Sequence, residues 1–386
     1  MMEKLAIFGA GAWGMKALEE YGADRIECFI DNDTKRQGTL ICGVRVVSLD
    51  EYKLKFSELP IYIASTYLQE MSAQLETEGI TNYYLYRPTK VVYGREDVLV
   101  CNPYVDTKQV ATEGEWNEKM KKNAIIKDVD SCVEIVKKQS LPLFNHVEIE
   151  TYNRCNGVCS FCPVSVVNES RAECRMDTDL FYKVINDLKA INYSGRLALF
   201  SNNEPFLDER IIEFHKYTRA QLPNARMHLY TNGTLLTLEK FQEIIDCLDE
   251  LIIDNYNQEL RLIPTVQRIK EYCEASPALV KKVTIFLRKP NEILTTRGGT
   301  APNRKERTSY EKDSCMLPYS QMIIRPDGKV SLCCNDPLGK TTLGDLRTQN
   351  IVDVWQGEKC NEVRKLVSMG RENYQQCKYC DVFYRS

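Results

Sequence analysis

Short apolar runs alternate with longer stretches of helical spacing along most of this chain. KLAIF (residues 4–8), IECFID (26–31), IYIAS (61–65) and NYYLY (82–86) read as strands, and Arg87-Pro88 closes the series. Strand and helix in alternation predict a small βαβ-type unit, a Rossmann-like domain over residues 1–90. From 91 to 142 the pattern becomes charged with helical spacing and ends at Leu141-Pro142, which predicts a helical linker. The alternation then resumes. HVEIET (146–151), RLALFS (196–201), RMHLYT (226–231), ELIIDN (250–255) and KVTIFL (282–287) predict a parallel sheet, open or closed into a barrel, over 143–305. Over 306–386 the character changes again: QMIIRPDGKVSLCC (321–334) is two strand runs around Pro-Asp-Gly, a hairpin, and two helical stretches follow. The fold class is α/β.

Composition narrows the function. With 386 residues the chain exceeds one ordinary core, in keeping with several domains. The net charge of −3, both signs spread along the chain, does not suggest a polyanion-binding surface or a basic membrane patch. No apolar run approaches the ~18 residues of a membrane span, and MMEKLAIFGAG lacks a signal-peptide cleavage pattern. A cytoplasmic protein without nucleic-acid or membrane partners is expected.

In that reducing compartment the 16 cysteines call for another explanation than disulfides. Seven have ligand-like spacing. The other nine (Cys28, Cys42, Cys101, Cys132, Cys174, Cys247, Cys273, Cys334 and Cys360) read by default as small buried hydrophobes. Cys155, Cys159 and Cys162 come from one loop directly after a strand. A [4Fe–4S] cube offers four irons, so three thiolates leave one iron open to bind a second molecule. A zinc site completed from elsewhere is the alternative.

C-x3-C-x-aromatic-C, with Phe161 before the last cysteine, resembles the signature of radical S-adenosylmethionine (SAM) enzymes. The resemblance implies that the open iron chelates SAM, that Phe161 lies near the adenine, and that reductive cleavage yields a 5′-deoxyadenosyl radical. Asn202-Asn203-Glu204 resembles the family's second-strand motif, whose acidic residue holds the SAM amino group, although the commoner form is Gly-Gly-Glu. Thr231-Asn232-Gly233 resembles its third-strand motif, so Thr231 and Asn232 join the implied SAM contacts. The family core is a partial (β/α)6 barrel.

Cys315, Cys333 and the pair Cys377-x2-Cys380 resemble the auxiliary-cluster extension called SPASM, or its short twitch form. One auxiliary [4Fe–4S] cluster is expected, because six residues follow Cys380. The same four thiolates could also form a zinc knuckle. Cys333 and Cys334 are adjacent on an expected strand and should face opposite ways. Cys334 then either packs or acts as a thiol near the substrate, a candidate hydrogen donor.

Gly9-x-Gly11-x-x-Gly14 opens a helix after the first strand, and Asp31 ends the next, the context of a dinucleotide fingerprint. The helix start would receive a phosphate and Asp31 a ribose. IFGAGAWG, FIDND and ICGVRVVSLDEY also resemble the small Rossmann-like domains fused to sugar-modifying acyltransferases and other glycan-assembly enzymes. A nucleotide, a nucleotide-sugar, a dinucleotide or a purely assembling role is therefore open.

The twitch relatives that this chain resembles include inosamine dehydrogenases, which oxidise a carbinol to a ketone. The expected reaction is hydrogen abstraction from a carbohydrate-like small molecule, with the auxiliary cluster accepting the second electron and a flavodoxin or ferredoxin supplying the first. Arg288, Glu292 and Arg297 follow the fifth strand and are candidates to hold the substrate, or to form salt bridges among themselves. The alternatives are a sugar epimerase with a cysteine donor, a peptide-modifying SPASM maturase, other small-molecule radical chemistry, and a non-enzymatic iron–sulfur scaffold or regulatory protein.

Overall fold

A computed structural model describes residues 4–87, 98–105, 112–126, 129–138, 143–306, 308–310 and 313–382. Pro88 and Leu141-Pro142, expected as boundaries, lie outside the described residues. The described chain divides into two compact units. One holds residues 4–87 and 124–138, the other 98–123 and 143–382.

The first unit is built on a six-stranded sheet: β1 (Leu5–Phe8), β2 (Ile26–Ile30), β3 (Leu40–Ile41), β4 (Val44–Val47), β5 (Ile61–Ile63) and β6 (Tyr83–Leu85), in the order β3-β4-β2-β1-β5-β6. All pairs are parallel except β3 with β4. Central β1 is buried at all four residues, as a parallel strand covered on both faces must be. The β3–β4 hairpin was not marked from sequence. It turns through Cys42 and Gly43, both left-handed (φ 48° and 85°), as a two-residue hairpin requires. Cys42 is therefore exposed at the turn, and the expectation that it is buried is corrected; Cys101 and Cys174 are half-buried.

The second unit carries a nine-stranded sheet: β7 (Val100–Cys101), β8 (His146–Ile149), β9 (Arg196–Ala198), β10 (Arg226–Thr231), β11 (Glu250–Tyr256), β12 (Val283–Arg288), β13 (Gln321–Ile324), β14 (Lys329–Ser331) and β15 (Gly344–Asp345). Their order is β15-β14-β13-β8-β9-β10-β11-β12-β7, so the sheet is open, with edges at β15 and β7. Strands β13 through β7 run parallel, and the last two pairs are antiparallel. Helices such as Thr178–Ala190 return the chain between strands. That helix buries Leu180, Phe181, Val184, Ile185 and Leu188, one stripe at helical spacing.

Two expectations change. The stretch read as a helical linker supplies an edge strand, since β7 pairs with β12, and its helix Glu113–Ile126 begins in the second unit. The hairpin placed in a separate C-terminal domain continues the catalytic sheet, because β13 pairs with β8 from Gln321–His146 to Ile324–Ile149. Backbone hydrogen bonds thus run unbroken from one cysteine set to the other.

Candidate active site

Cys155, Cys159 and Cys162 leave the C-terminal end of β8 in one loop. Gly157 lets two thiols meet. Its N–H donates to Cys155 Sγ at 3.3 Å, and a Cβ there would stand 3.3 Å from Cys155 Sγ and 3.8 Å from Cys159 Sγ. Burial pushes Cys155 up to about 12 and raises Cys159 as well. Such thiols ionise only beside strong positive charge, which a cluster's irons bring. Among the described residues no three Cys, His, Asp or Glu side chains gather tightly enough for a single metal ion. One thiolate on each iron of a cube asks for a wider ring of sulphurs than that. Phe161 is buried, its ring 5.9 Å from Tyr256 at the end of β11.

Glu204 gathers the other two motifs. Its N–H donates to Arg154 O at 2.9 Å, just before Cys155. Its carboxylate accepts Thr231 Oγ1 at 2.7 Å and the N–H groups of Asn232 (2.8 Å) and Phe206 (3.2 Å). Burial nevertheless raises Glu204 to about 7, so an ammonium group beside it would restore its charge. Gly233 turns the chain at φ 75°, where a Cβ would stand 2.5 Å from Val266 Cγ2. The two asparagines part. Asn203 Nδ2 is a buried donor with no protein partner, the kind of group a ligand satisfies. Asn202 turns away from the Glu204 network: its Oδ1 accepts from Arg297 at 2.5 Å and its Nδ2 donates to Cys334 O at 3.5 Å.

Cys315, Cys333, Cys377 and Cys380 are all buried in one apolar cluster with Leu317, Leu332, Val363, Val367 and Val382. Burial, and then the neighbouring thiols, push Cys333 well up. Arg371, which the sequence did not single out, is buried among these segments. It donates to the carbonyls of Ser314 (3.0 and 3.2 Å), Cys380 (2.7 Å) and Val382 (2.7 Å). Burial opposes its charge, while Cys315, Cys380 and Cys377 support it. Four thiols and a fixed cation suit a cluster of net negative charge.

Beside Cys334 lies a polar wall. Glu148 on β8 accepts Ser201 Oγ at 2.6 Å, and burial raises it to about 7 against that bond and Arg297. β14 ends at Ser331, so Cys333 and Cys334 lie beyond the strand that was expected to hold them. Their surroundings differ. Cys333 joins the auxiliary thiols, whereas Cys334 has Glu148 and Arg297 as charged neighbours and is pushed up by burial. Arg297 sits at φ 50°, followed by Gly298 and Gly299 at 62° and 79°. Arg288 and Glu292 pair with each other at 2.7 Å, and Tyr104 donates to Glu292 at 2.6 Å, so these two are salt-bridged as well as near the mouth. Glu148 had a signal in the sequence: His146, Glu148 and Glu150 alternate with Val147 and Ile149, a polar inner face on a buried strand. Asn156 and Arg371 had none.

In the first unit Gly9 and Gly14 serve close packing. A Cβ on Gly14 would lie 2.0 Å from Gly9 O, and one on Gly9 2.6 Å from Ala64 O. Asp31 braces the same loop, accepting Ala10 N–H at 2.8 Å and Asp33 N–H at 2.8 Å, with Arg36 at 3.5 Å. Gly11 has room, its nearest neighbour being Arg36 Nη1 at 3.6 Å.

Residues 149–257 match the radical SAM superfamily and residues 315–381 the SPASM iron–sulfur cluster-binding domain. The chain is 28% identical over 241 residues to an S-adenosyl-L-methionine-dependent 2-deoxy-scyllo-inosamine dehydrogenase from Niallia circulans, covering 62% of this chain and 93% of the relative. A crystal structure of BtrN in complex with AdoMet and 2-DOIA is 25% identical with a TM-score of 0.54, covering 64% of this chain and 98% of that one. BtrN in an open conformation matches at 23% identity and a TM-score of 0.47, over 62% and 94% of the two chains. Among the described residues no helix is long and apolar enough to cross a membrane. Iron–sulfur clusters and SAM are the cofactors of a chain that carries a radical SAM domain over residues 149–257 and a SPASM domain over 315–381.

Proposed function

We propose that this enzyme oxidises a secondary alcohol of an aminocyclitol or related carbohydrate to a ketone. The observation that carries the reading is the wall of Glu148, Ser201, Asn202 and Arg297 beside Cys334, one residue from an auxiliary cysteine. These are hydroxyl-binding groups. The dehydrogenase relative acts on an aminocyclitol.

Cys155, Cys159 and Cys162 hold the SAM-binding cluster, and Cys315, Cys333, Cys377 and Cys380 the auxiliary one. Bound there, a cluster with SAM would supply the radical chemistry that removes the carbinol hydrogen, and an auxiliary cluster would supply an acceptor for the remaining electron. The protein's own residues do the rest. Glu204, Asn203, Thr231 and Asn232 hold SAM beside Phe161. Arg297 and Asn202 hold the substrate's oxygens, and Glu148 takes the hydroxyl proton at its carboxylate. A base near 7 suits that task at neutral pH. An external one-electron donor of the flavodoxin or ferredoxin kind starts each turnover.

The test is ketone formation from 2-deoxy-scyllo-inosamine against pH. Glu148 must be ionised to act as base, so turnover should rise as pH passes about 7. Glu148→Gln should abolish that rise and lower turnover by about 10²–10⁴-fold, the usual worth of a general base. An unchanged profile in the variant would remove Glu148 from the role.

A second reading rests on Cys334, whose thiol has Glu148 and Arg297 as neighbours. A thiol on that wall is placed to return a hydrogen to the substrate carbon, the requirement of an epimerase.

A further inference from the structure

Arg297, Gly298 and Gly299 form three consecutive left-handed residues, at φ 50°, 62° and 79°. A run of this kind is unfavourable for an L side chain and persists only where its surroundings over-determine it. Here they do. A Cβ on Gly298 would lie 2.5 Å from Asn335 O and one on Gly299 3.2 Å from Tyr379 Cβ, so the turn is pressed between two auxiliary-cysteine segments. At its entrance stands Asp381, fully buried and next to Cys380. Its Oδ1 accepts Thr296 N–H at 2.7 Å, while the Thr296 hydroxyl donates to Tyr379 O at 2.7 Å with Oδ1 at 3.1 Å. Its Oδ2 accepts Trp116 Nε1–H at 2.9 Å and Arg304 Nη1–H at 3.1 Å.

Trp116 belongs to the helix Glu113–Ile126, upstream of both matched family domains. The first turn of that helix is tied to the same place. Glu113 pairs with buried Arg304 at 3.0 Å, and Asn117 Oδ1 accepts from Arg304 at 2.5 Å. Arg304 in turn donates to Leu294 O at 2.6 Å, two residues before Thr296. Three N–H donors hold the Asp381 carboxylate: Thr296 at the entrance of the turn, Arg304, and Trp116 from this upstream helix.

We propose that Asp381 is a positioning residue that aims Arg297 at the substrate, and that Trp116 completes it from outside the family's shared core. The proposal rests on Arg297 holding the substrate, and it makes the supposed linker part of the catalytic unit.

The experiment uses the full reconstituted chain, with Trp116→Phe, which removes the N–H together with the five-membered half of the indole and leaves an aromatic ring on the helix, beside Arg297→Lys. Losing one hydrogen bond to a charged acceptor should speed hydrogen exchange at the Thr296 amide about tenfold and leave β10 amides unchanged. With 2-deoxy-scyllo-inosamine as probe, Trp116→Phe should raise KM about tenfold while kcat and SAM cleavage without substrate stay within about twofold. Unchanged Thr296 exchange would overturn the proposal, as would faster exchange with KM and kcat both unmoved. If Arg297→Lys leaves KM alone, or the wild-type chain does not turn the probe over, the substrate reading fails instead. Thr296 exchange then decides by itself whether Trp116 and Asp381 hold the turn.

Discussion

Asn232 Nδ2 donates to Asn156 Oδ1 at 2.8 Å, joining the third-strand motif to the residue beside Cys155. Asn156 Nδ2 closes the ring on Thr234 Oγ1 at 2.9 Å, and Thr234 N–H returns to Asn232 Oδ1 at 2.9 Å. Neither loop can therefore move without the other. Asn156→Ala removes both of its bonds, each of about 1 kcal/mol net, and should weaken SAM binding about tenfold. Iron content should stay whole, since no cysteine is touched. SAM titration of the reconstituted variant is the check, and unaltered affinity would show that the two loops are not coupled.

The division of seven cysteines into three and four predicts two clusters, about eight irons per chain. The triple change of Cys155, Cys159 and Cys162 to Ala should remove about half of that iron and all SAM cleavage. Full iron retention would sink the assignment, and zinc in place of iron would turn the auxiliary set into a knuckle. Cys377→Ala or Cys380→Ala should allow abortive SAM cleavage yet stop ketone formation, with some loss of stability as the C-terminal segment is released.

Arg371 extends the same argument to electrons. A fixed cation favours the more negative, reduced cluster, so Arg371→Gln should lower the auxiliary midpoint potential. A tenfold change in that equilibrium corresponds to about 59 mV for one electron, well within reach of a redox titration followed by EPR. Because Arg371 also ties Ser314 to Cys380 and Val382, Arg371→Lys, which keeps the charge, should restore more of the potential than of the stability.

The strands and the chemistry-bearing cysteines were legible because both are local patterns. Each apolar run contains a strand, although those at RLALFS and KVSLCC stop three residues early, and Thr231-Asn232-Gly233 fell at a strand end where its turn demands glycine. What could not be read was lateral pairing. Nothing local in Val100–Cys101 says that it will lie beside β12, and nothing in Gln321–Ile324 says that it will lie beside β8. The partner of Asn202 was hidden for the same reason: its side chain is held by Arg297, 95 positions away. Arg371 and Asp381 are single charged residues whose meaning comes only from carbonyls and donors brought in by the fold.

The glycines of the first unit separate packing from binding. Gly14→Ala drives a Cβ into Gly9 O and should cost about 3 kcal/mol or more, read by denaturant unfolding. Gly11→Ala meets only Arg36 and should be tolerated within about 1 kcal/mol. Calorimetry of the full chain with UDP-sugars, GDP-sugars, NAD and NADP then tests a phosphate at Gly11. Binding lost in Gly11→Val with unfolding unchanged would establish a nucleotide site. No heat with any of them would leave Asp31 as a brace for the loop, the role its contacts with Ala10 and Asp33 already give it.

Cys334 decides between ketone and inverted alcohol. Its thiol has Glu148 and Arg297 as neighbours, the groups proposed to hold the substrate. Burial keeps it protonated, the form that can give up a hydrogen atom. A dehydrogenase has no use for that hydrogen; it needs Glu148 for the hydroxyl proton and an auxiliary cluster free to take an electron. Turnover in deuterated water, with Cys334 intact and as Cys334→Ala, separates the two. The expected product is a ketone without solvent deuterium at the reacting carbon, and the variant should still make it at a rate within about tenfold, because only packing is lost. Deuterium on an inverted carbon, absent from the variant's product, would instead make Cys334 the hydrogen donor and the enzyme an epimerase.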